Sequence, residues 1–349
     1  MRSLAAACFF LISCGGQNKP GVSADAPRPI DAPKPIDSPM IDSPMIDAAV
    51  DAPVTAMGTH YHYVMDHEYV PTNNSQARAY GLDLNNDGTV DNQLGMVLGT
   101  LSSMGFDVQA QTTKSVDTGA TLLLVDVQTT GFTNATGTGV TMYEGANPMP
   151  APCSGPTDTV CRHHLAGTGT FDVATTSPRD TPLPGNASSG TFSSGPGHLP
   201  LQLAFTSTSP IELHLIGARM QMSSVTAGGI ATGVVAGAVT QTEINTQVLP
   251  QFQAELTQIV YRDCCGLASS PGGATCNPSG TPPCGCVSGS SGATVIGLFD
   301  TSHDCKISLS EVQNNSLLMS LLAPDVTVEG QMALSLGVGF TAVPGTFTP

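Results

Sequence analysis

Between residues 121 and 222 the chain is written in short apolar runs broken by glycine, proline, asparagine and serine: TLLLVDVQTT (121–130), GVTMYEG (139–145), GTFDVATT (169–176), LPLQLAFTST (199–208) and IELHLIGARMQM (211–222). Runs of this length, rich in β-branched residues and bounded by turn formers, read as strands, and several in succession predict an antiparallel sandwich or barrel. MALSLGVGFTAV (332–343) supplies a last strand. One segment breaks the pattern. TQTEINTQVLPQFQAELTQIVY (240–261) opens with a Thr240-x-x-Glu243 capping box and continues with Ile244, Val248, Phe252, Leu256 and Ile259 on one helical face. Pro250 lies inside it and is expected to kink or split the helix. With 349 residues the chain is long enough to bury a real core.

Charge narrows the function classes. Eleven Lys and Arg against 27 Asp and Glu give a net charge of −16, which repels phosphate backbones and argues against nucleic-acid binding. The chain has no G-x-S-x-G, no H-E-x-x-H, no phosphate-binding glycine loop and no C-x-x-C pair, so the reading is a non-enzymatic protein.

The N-terminus, MRSLAAACFFLISCGG, has Arg2 and then an apolar run too short to span a bilayer but suited to an export signal. Its end, Leu11-Ile12-Ser13-Cys14-Gly15, resembles the lipobox of bacterial lipoproteins. That resemblance implies cleavage after residue 13, lipidation of Cys14 and an anchor in a membrane without a transmembrane helix. An ordinary signal peptide is the alternative. No Asp follows Cys14, which by the lipoprotein sorting pattern favours the outer membrane or cell surface. Residues 14–58 form a tether: Asp25-Ala-Pro, Asp31-Ala-Pro, Asp37-Ser-Pro, Asp42-Ser-Pro and Asp51-Ala-Pro repeat with little apolar bulk, and their prolines hold the chain near polyproline II. Such linkers behind a lipobox are similar to those of predicted lipoproteins from myxobacteria and their relatives.

The folded ectodomain is expected over 59–349, divided into a first loop region (59–105), a β-rich region with the long helix (106–262), a Cys-rich loop (263–292), a second loop region (293–324) and a C-terminal strand (325–349). Eight cysteines remain after Cys8 and Cys14 are set aside, and export makes disulfides the default. Cys153 with Cys161 is the best local pair. A zinc site in the cluster from Cys264 to Cys286 is the rival, although its spacing is irregular.

Two loops carry metal-ligand spacing. Calcium takes 6 to 8 oxygens, and a twelve-residue loop delivers them from positions 1, 3, 5, 7, 9 and 12, with the seventh using its backbone carbonyl. In FDTSHDCKISLSEV (299–312) these positions hold Asp300, Ser302, Asp304, Lys306, Ser308 and Glu311, with Ile307 at the eighth. The sequence resembles the EF-hand family over about 30 residues, except that position 6, normally glycine, is Cys305. A non-glycine residue there costs ~1 kcal/mol, which a disulfide from Cys305 would offset. The competing reading is a surface turn with Ser308-x-x-Glu311 as a capping box. The first loop places Asp83, Asn85, Asp87, Thr89 and Asp91 at positions 1, 3, 5, 7 and 9, with Gly88 at the sixth and Leu94 at the twelfth. It resembles the D-x-N-x-D-G loops of EF-hands, dockerins and thrombospondin type 3 repeats, and lacks the bidentate glutamate. Its competing reading is an Asx-rich turn. The resemblances imply helix-loop-helix elements flanking the β fold and Ca2+ as the bound ion. Val90 and Ile307, both at position 8, are expected to touch if the loops pair.

HYHYVMDH (60–67) sets His60 and His62 on one strand face with Asp66 and His67 nearby, a transition-metal pattern against a blander one of half-exposed histidines, which is preferred. His163 and His164 beside Cys161 are similarly placed. The reading as a whole is a lipid-anchored, calcium-binding surface protein with a structural or adhesive role. A cavity for apolar ligands, lined by stretches such as GIATGVVAGAVT (229–240), is the alternative. Replacing Cys14 by Ala is expected to move the protein from the membrane to the soluble fraction; continued membrane association, with normal signal cleavage, would disprove the lipobox.

Overall fold

A computed structural model describes residues 55–102, 106–205, 210–264 and 284–349, all within the unit Ala52–Pro349. The expected signal peptide, Cys14, the tether up to residue 54, and Cys265 and Cys276 lie outside the described residues.

Among the described residues ten strands form: β1 (Thr59–Tyr69), β2 (Leu123–Thr129), β3 (Ala135–Met149), β4 (Gly169–Val173), β5 (Leu183–Ser188), β6 (Thr191–Leu203), β7 (Ile211–Thr226), β8 (Gly229–Val239), β9 (Val326–Val328) and β10 (Gln331–Thr346). Eight of them close a ring in the order β1, β2, β3, β5, β6, β7, β8, β10 and back to β1, every pairing antiparallel. The β fold is therefore a barrel. β4 pairs with β3 and, over two residues, with β10; β9 pairs with β10 alone. The closing seam takes one strand from each end of the folded region, with Tyr63 opposite Pro344 and Tyr69 opposite Gly339.

Side chains alternate across a strand, so each stave has one inner and one outer row. Tyr63 and Met65, Leu123, Val125 and Val127, Val140 and Met142, Leu199, Leu201 and Leu203, and Leu334, Leu336, Val338 and Phe340 belong to one buried cluster, the barrel interior. Their neighbours Val64, Leu122, Leu124 and Tyr143 face outward, into a second cluster with Phe171 and Phe347. Tyr63 is held across the barrel by a 2.8 Å hydrogen bond from its hydroxyl to the Thr226 carbonyl.

Helices continue the interior core. They are α1 (Asn74–Ala79), α2 (Gln93–Ser102), α3 (Val108–Asp117), α4 (Gln241–Glu243), α5 (Leu249–Cys264), α6 (Ser291–Phe299), α7 (Leu309–Asn314) and α8 (Ser316–Leu321). Leu94, Leu98, Phe252, Leu256, Val295 and Val312 join the same cluster as the inner barrel rows. The Phe252 ring lies 5.5 Å from Phe205 and 6.1 Å from Phe106. The Thr240/Glu243 capping box is formed. The expected interruption near Pro250 is a π turn over Ile244–Val248, in which the Leu249 N–H reaches back to the Ile244 carbonyl. Pro250 then falls in the first turn of α5, where its missing N–H is tolerated. α3 falls in the stretch beyond Phe106, where the sequence pattern predicts strands. Its buried residues Val108, Thr112, Ser115 and Val116 recur at helical spacing, and Asp107 caps it by accepting the Ala110 N–H.

Glu68 is anomalous. It sits opposite Phe340 in the β1–β10 ladder, is 2% exposed, and neither carboxylate oxygen has a hydrogen-bond partner among the described residues. Burial pushes its carboxyl up to about 8. The folded chain thus holds a proton that the unfolded chain releases near its ordinary value, so stability falls as pH rises from about 4.5 to about 8. Glu68→Gln is expected to remove that slope and to stabilise the protein at pH 7 by on the order of 3 kcal/mol. Denaturant melts of both proteins at pH 5 and pH 8 check it; parallel stability profiles would refute it.

Candidate metal centre

The first loop joins α1 to α2 and the second joins α6 to α7. Both segments turn with the same left-handed positions. Asn86 and Gly88 have φ of 63° and 85°; His303 and Cys305 have φ of 58° and 65°. These are positions 4 and 6 of each loop. Glycine takes this conformation freely, whereas a side chain costs about 1 kcal/mol. At Cys305 the turn is tied by a disulfide to Cys284.

The hydrogen bonds repeat as well. In each loop the first aspartate accepts the N–H groups of positions 5 and 6: Asp87 and Gly88 donate to Asp83 at 3.2 and 2.9 Å, and Asp304 and Cys305 donate to Asp300 at 3.1 and 2.9 Å. The position-5 aspartate then accepts the position-7 N–H, Thr89 to Asp87 at 2.7 Å and Lys306 to Asp304 at 3.0 Å. Asp83, Asn85 and Asp87 are therefore gathered at one turn, and Asp300, Ser302 and Asp304 at the other.

The later positions diverge. In the second loop, Glu311 reaches back across the turn. One of its oxygens accepts the Ser302 N–H at 2.9 Å and the Thr301 hydroxyl at 3.3 Å, the other the Ser308 N–H and hydroxyl, both at 2.9 Å. The capping box is thus present, and the same carboxylate also spans the loop. Burial acts to raise its pKa, but the backbone donors of Ser308 and Ser302, with the Ser308 hydroxyl, hold it at about 2. In the first loop, Asp91 turns inward and accepts the Leu84 N–H at 2.8 Å, beside a single bridge between Leu82 and Asp91. Burial, and then the negative charges of Asp325, Asp87 and Asp83, push the Asp91 carboxyl above its usual range. Leu94 at position 12 is buried in the core.

The expected contact between Val90 and Ile307 does not form among the described strand pairings. Val90 is 48% exposed, while Ile307 is 4% exposed and its carbonyl accepts the Gln253 amide at 2.7 Å. Each loop is instead fastened to its own neighbours. Asn92, at the exit of the first, donates to the Ala77 and Gly337 carbonyls and accepts the Gly95 and Gly337 N–H groups, all at 2.8–3.0 Å.

Other expected clusters are rearranged. Cys153 and Cys161 form the expected disulfide, and Cys264 pairs with Cys286. The disulfides at Cys264, Cys284 and Cys286 displace the zinc reading there, because a cystine sulfur is not a thiolate ligand. Cys161 is likewise lost as a ligand to its neighbours: His163 pairs with Asp158 at 2.9 Å, and His164 is fully buried with its ring edge-on to Phe171. An irregularity between Met65 and His67 divides HYHYVMDH. Asp66 and His67 turn toward each other and Thr341, whereas His60 and His62 meet Asp126 of β2. Sequence reasoning missed Asp126, Arg219, which donates to Asn86 at 2.8 Å, and the pairs Asp180–His214 and His198–Glu329, both at 2.9 Å. A charged residue inside the apolar run LLLVDVQ was the available signal for Asp126.

No protein-family model, characterised protein or solved structure matches the chain. The Glu311 network joins the two sides of the second loop through backbone donors. Removing the carboxylate in Glu311→Ala leaves the Ser302 and Ser308 N–H groups unpaired and is expected to cost about 2 kcal/mol in calcium-free buffer. Because the folded pKa is depressed, this stabilisation is complete above about 4.5 and fades as pH falls toward about 2. Urea denaturation at pH 6 checks it, and a variant as stable as the parent would contradict it.

Proposed function

We propose that this chain is a lipid-anchored surface protein whose two loops bind calcium, in a structural or adhesive role. The observation that carries the reading is the shared turn: two segments more than 200 residues apart adopt left-handed residues at positions 4 and 6 and gather oxygen-bearing side chains from positions 1, 3 and 5. In the finer form of the proposal, α6, the second loop and α7 make an EF-hand-like unit, and α1, the first loop and α2 a divergent one without a position-12 carboxylate. A calcium ion supplies two positive charges to oxygens that otherwise repel one another, which suits the crowding around Asp91. At the second loop the ion displaces the hydroxyl donors now turned toward Glu311.

The apolar-ligand reading has less support, since the barrel interior is filled by the chain's own side chains, among them Tyr63, Phe192, Phe340 and Met142, all 1% exposed or less. The non-enzymatic reading stays with the proposal, and the binding partner at the surface is left open among protein, glycan and lipid.

Calcium titration of the full chain by calorimetry is expected to show two weak, independent sites with dissociation constants of ~10⁻⁴ to 10⁻³ M. Glu311→Gln should weaken the second alone, and Asp83→Asn with Asp87→Asn should remove the first alone. Absence of both heat and thermal stabilisation at millimolar calcium would overturn the proposal.

A further inference from the structure

The outer face of the barrel near its seam carries a second kind of cluster. His60 and His62 are alternate residues of β1 and share the outward row with Val64. Asp126 of β2 is the direct register partner of His62 and the diagonal neighbour of His60. The three side chains converge: Nδ1 of His60 lies 2.8 and 3.1 Å from the two Asp126 oxygens, and Nε2 of His62 lies 3.7 Å from Oδ1. One ligand atom from each residue falls within 4.8 Å of the other two.

Two features go beyond an ordinary surface ion pair. Asp126 is 5% exposed, so its carboxylate sits largely out of water with two imidazoles as its neighbours. Nε2 of His62 is buried with no hydrogen-bond partner among the described residues, although the ring itself is fixed by stacking on Phe347 at 4.4 Å. A buried polar atom left unpaired costs free energy unless something absent from the polypeptide satisfies it. The other imidazole cluster lacks this feature: Asp180 with His214, and Glu329 with His198, pair one to one, which fastens the β9–β10 turn and the segment before β5 onto β6 and β7.

We propose that His60, His62 and Asp126 form a binding site for a borderline transition-metal cation, Zn2+ in the first instance. Tetrahedral zinc with bonds of about 2.0–2.1 Å places neighbouring ligand atoms about 3.3 Å apart. Measured from the same oxygen, Oδ1, the separations of 3.1 Å to His60 and 3.7 Å to His62 bracket that edge, and the two imidazole nitrogens lie within 4.8 Å of each other, so binding draws the two rings together around a carboxylate already in place. Imidazole nitrogen and carboxylate oxygen are the donors that zinc accepts, and hard calcium prefers oxygen alone. Three protein ligands leave a fourth position, and His60, whose side chain is half-exposed, gives solvent access to it. Zinc between adjacent strands also links β1 to β2 at the seam end of the barrel. None of its three ligands belongs to either acidic loop, so zinc binding here is independent of calcium binding there.

The test uses the untagged, oxidised full chain, stripped of metal and held in excess calcium so that the acidic loops do not compete. Zinc chloride is titrated at pH 7.5 by calorimetry, with melting temperature as a second readout. The expected result is one equivalent of zinc that stabilises the fold, weakened about tenfold or more in His60→Ala and in His62→Asn. His60 is half-exposed, so His60→Ala keeps the experiment decisive if His62→Asn folds poorly. His198→Ala is expected to leave this equivalent in place. Failure of the parent protein to bind zinc, or binding that survives His60→Ala and is lost in His198→Ala, overturns the proposal.

Discussion

The antiparallel ladder between β1 and β10 makes the sheet a closed surface, and the rest of the fold follows from that closure. With Tyr63 opposite Pro344 and Tyr69 opposite Gly339, the first and last long strands satisfy each other's backbone groups. Inner rows from all eight staves then face one another, which is why Tyr63, Phe192 and Phe340 are almost wholly removed from water. The helices complete the enclosure, with Phe252 reaching Phe205 and Phe106. Both loops hang from this frame. Asn92 fastens the first to β10 through Gly337, and Gln253 of α5 holds the second through the Ile307 carbonyl.

That the two loops share a turn while differing at position 6 shows two solutions to one steric problem. Gly88 meets the left-handed requirement by having no side chain. Cys305 meets it against a conformational penalty and is held by covalent attachment to Cys284. The second solution makes the geometry of the turn dependent on oxidation, and the first does not. Their neighbours differ in the same way. Glu311 satisfies backbone donors on both sides of its loop, while the first loop has a leucine at that position and draws Asp91 inward to close its base.

Features written within a dozen residues are legible in the sequence. Strand alternation is local, so most staves are visible as runs, and the spacing of oxygen-bearing residues in the loops is local, so Asp83, Asn85 and Asp87 and Asp300, Ser302 and Asp304 stand out from their order in the chain alone. The Cys153–Cys161 pair is legible for the same reason. Closure of the barrel is not, because the β1–β10 pairing joins the two ends of the folded region. α3 escapes because Thr112 and Ser115 fill helical core positions that an apolar pattern does not mark. The regrouping of HYHYVMDH depends on a register irregularity that no glycine or proline announces, and on Asp126, which reaches His60 from 66 residues away. Asp325 and Arg219 come to the first loop from comparable or greater distances.

Closure also limits how other molecules can engage this surface. A sheet with an open margin offers a row of free N–H and C=O groups on which a foreign peptide docks as an added strand. Here every stave of the ring is hydrogen-bonded to a neighbour on each side over part of its length, β4 lies between β3 and β10, and β9, three residues long, is the one described strand with a single partner strand. Recognition by β-augmentation is therefore confined to stretches where a stave outruns one neighbour, such as residues 199–203 of β6, which pair with β7 alone among the described strands and are buried. A molecule that meets the outer face of this barrel meets outward side chains and turns rather than a long row of free backbone groups.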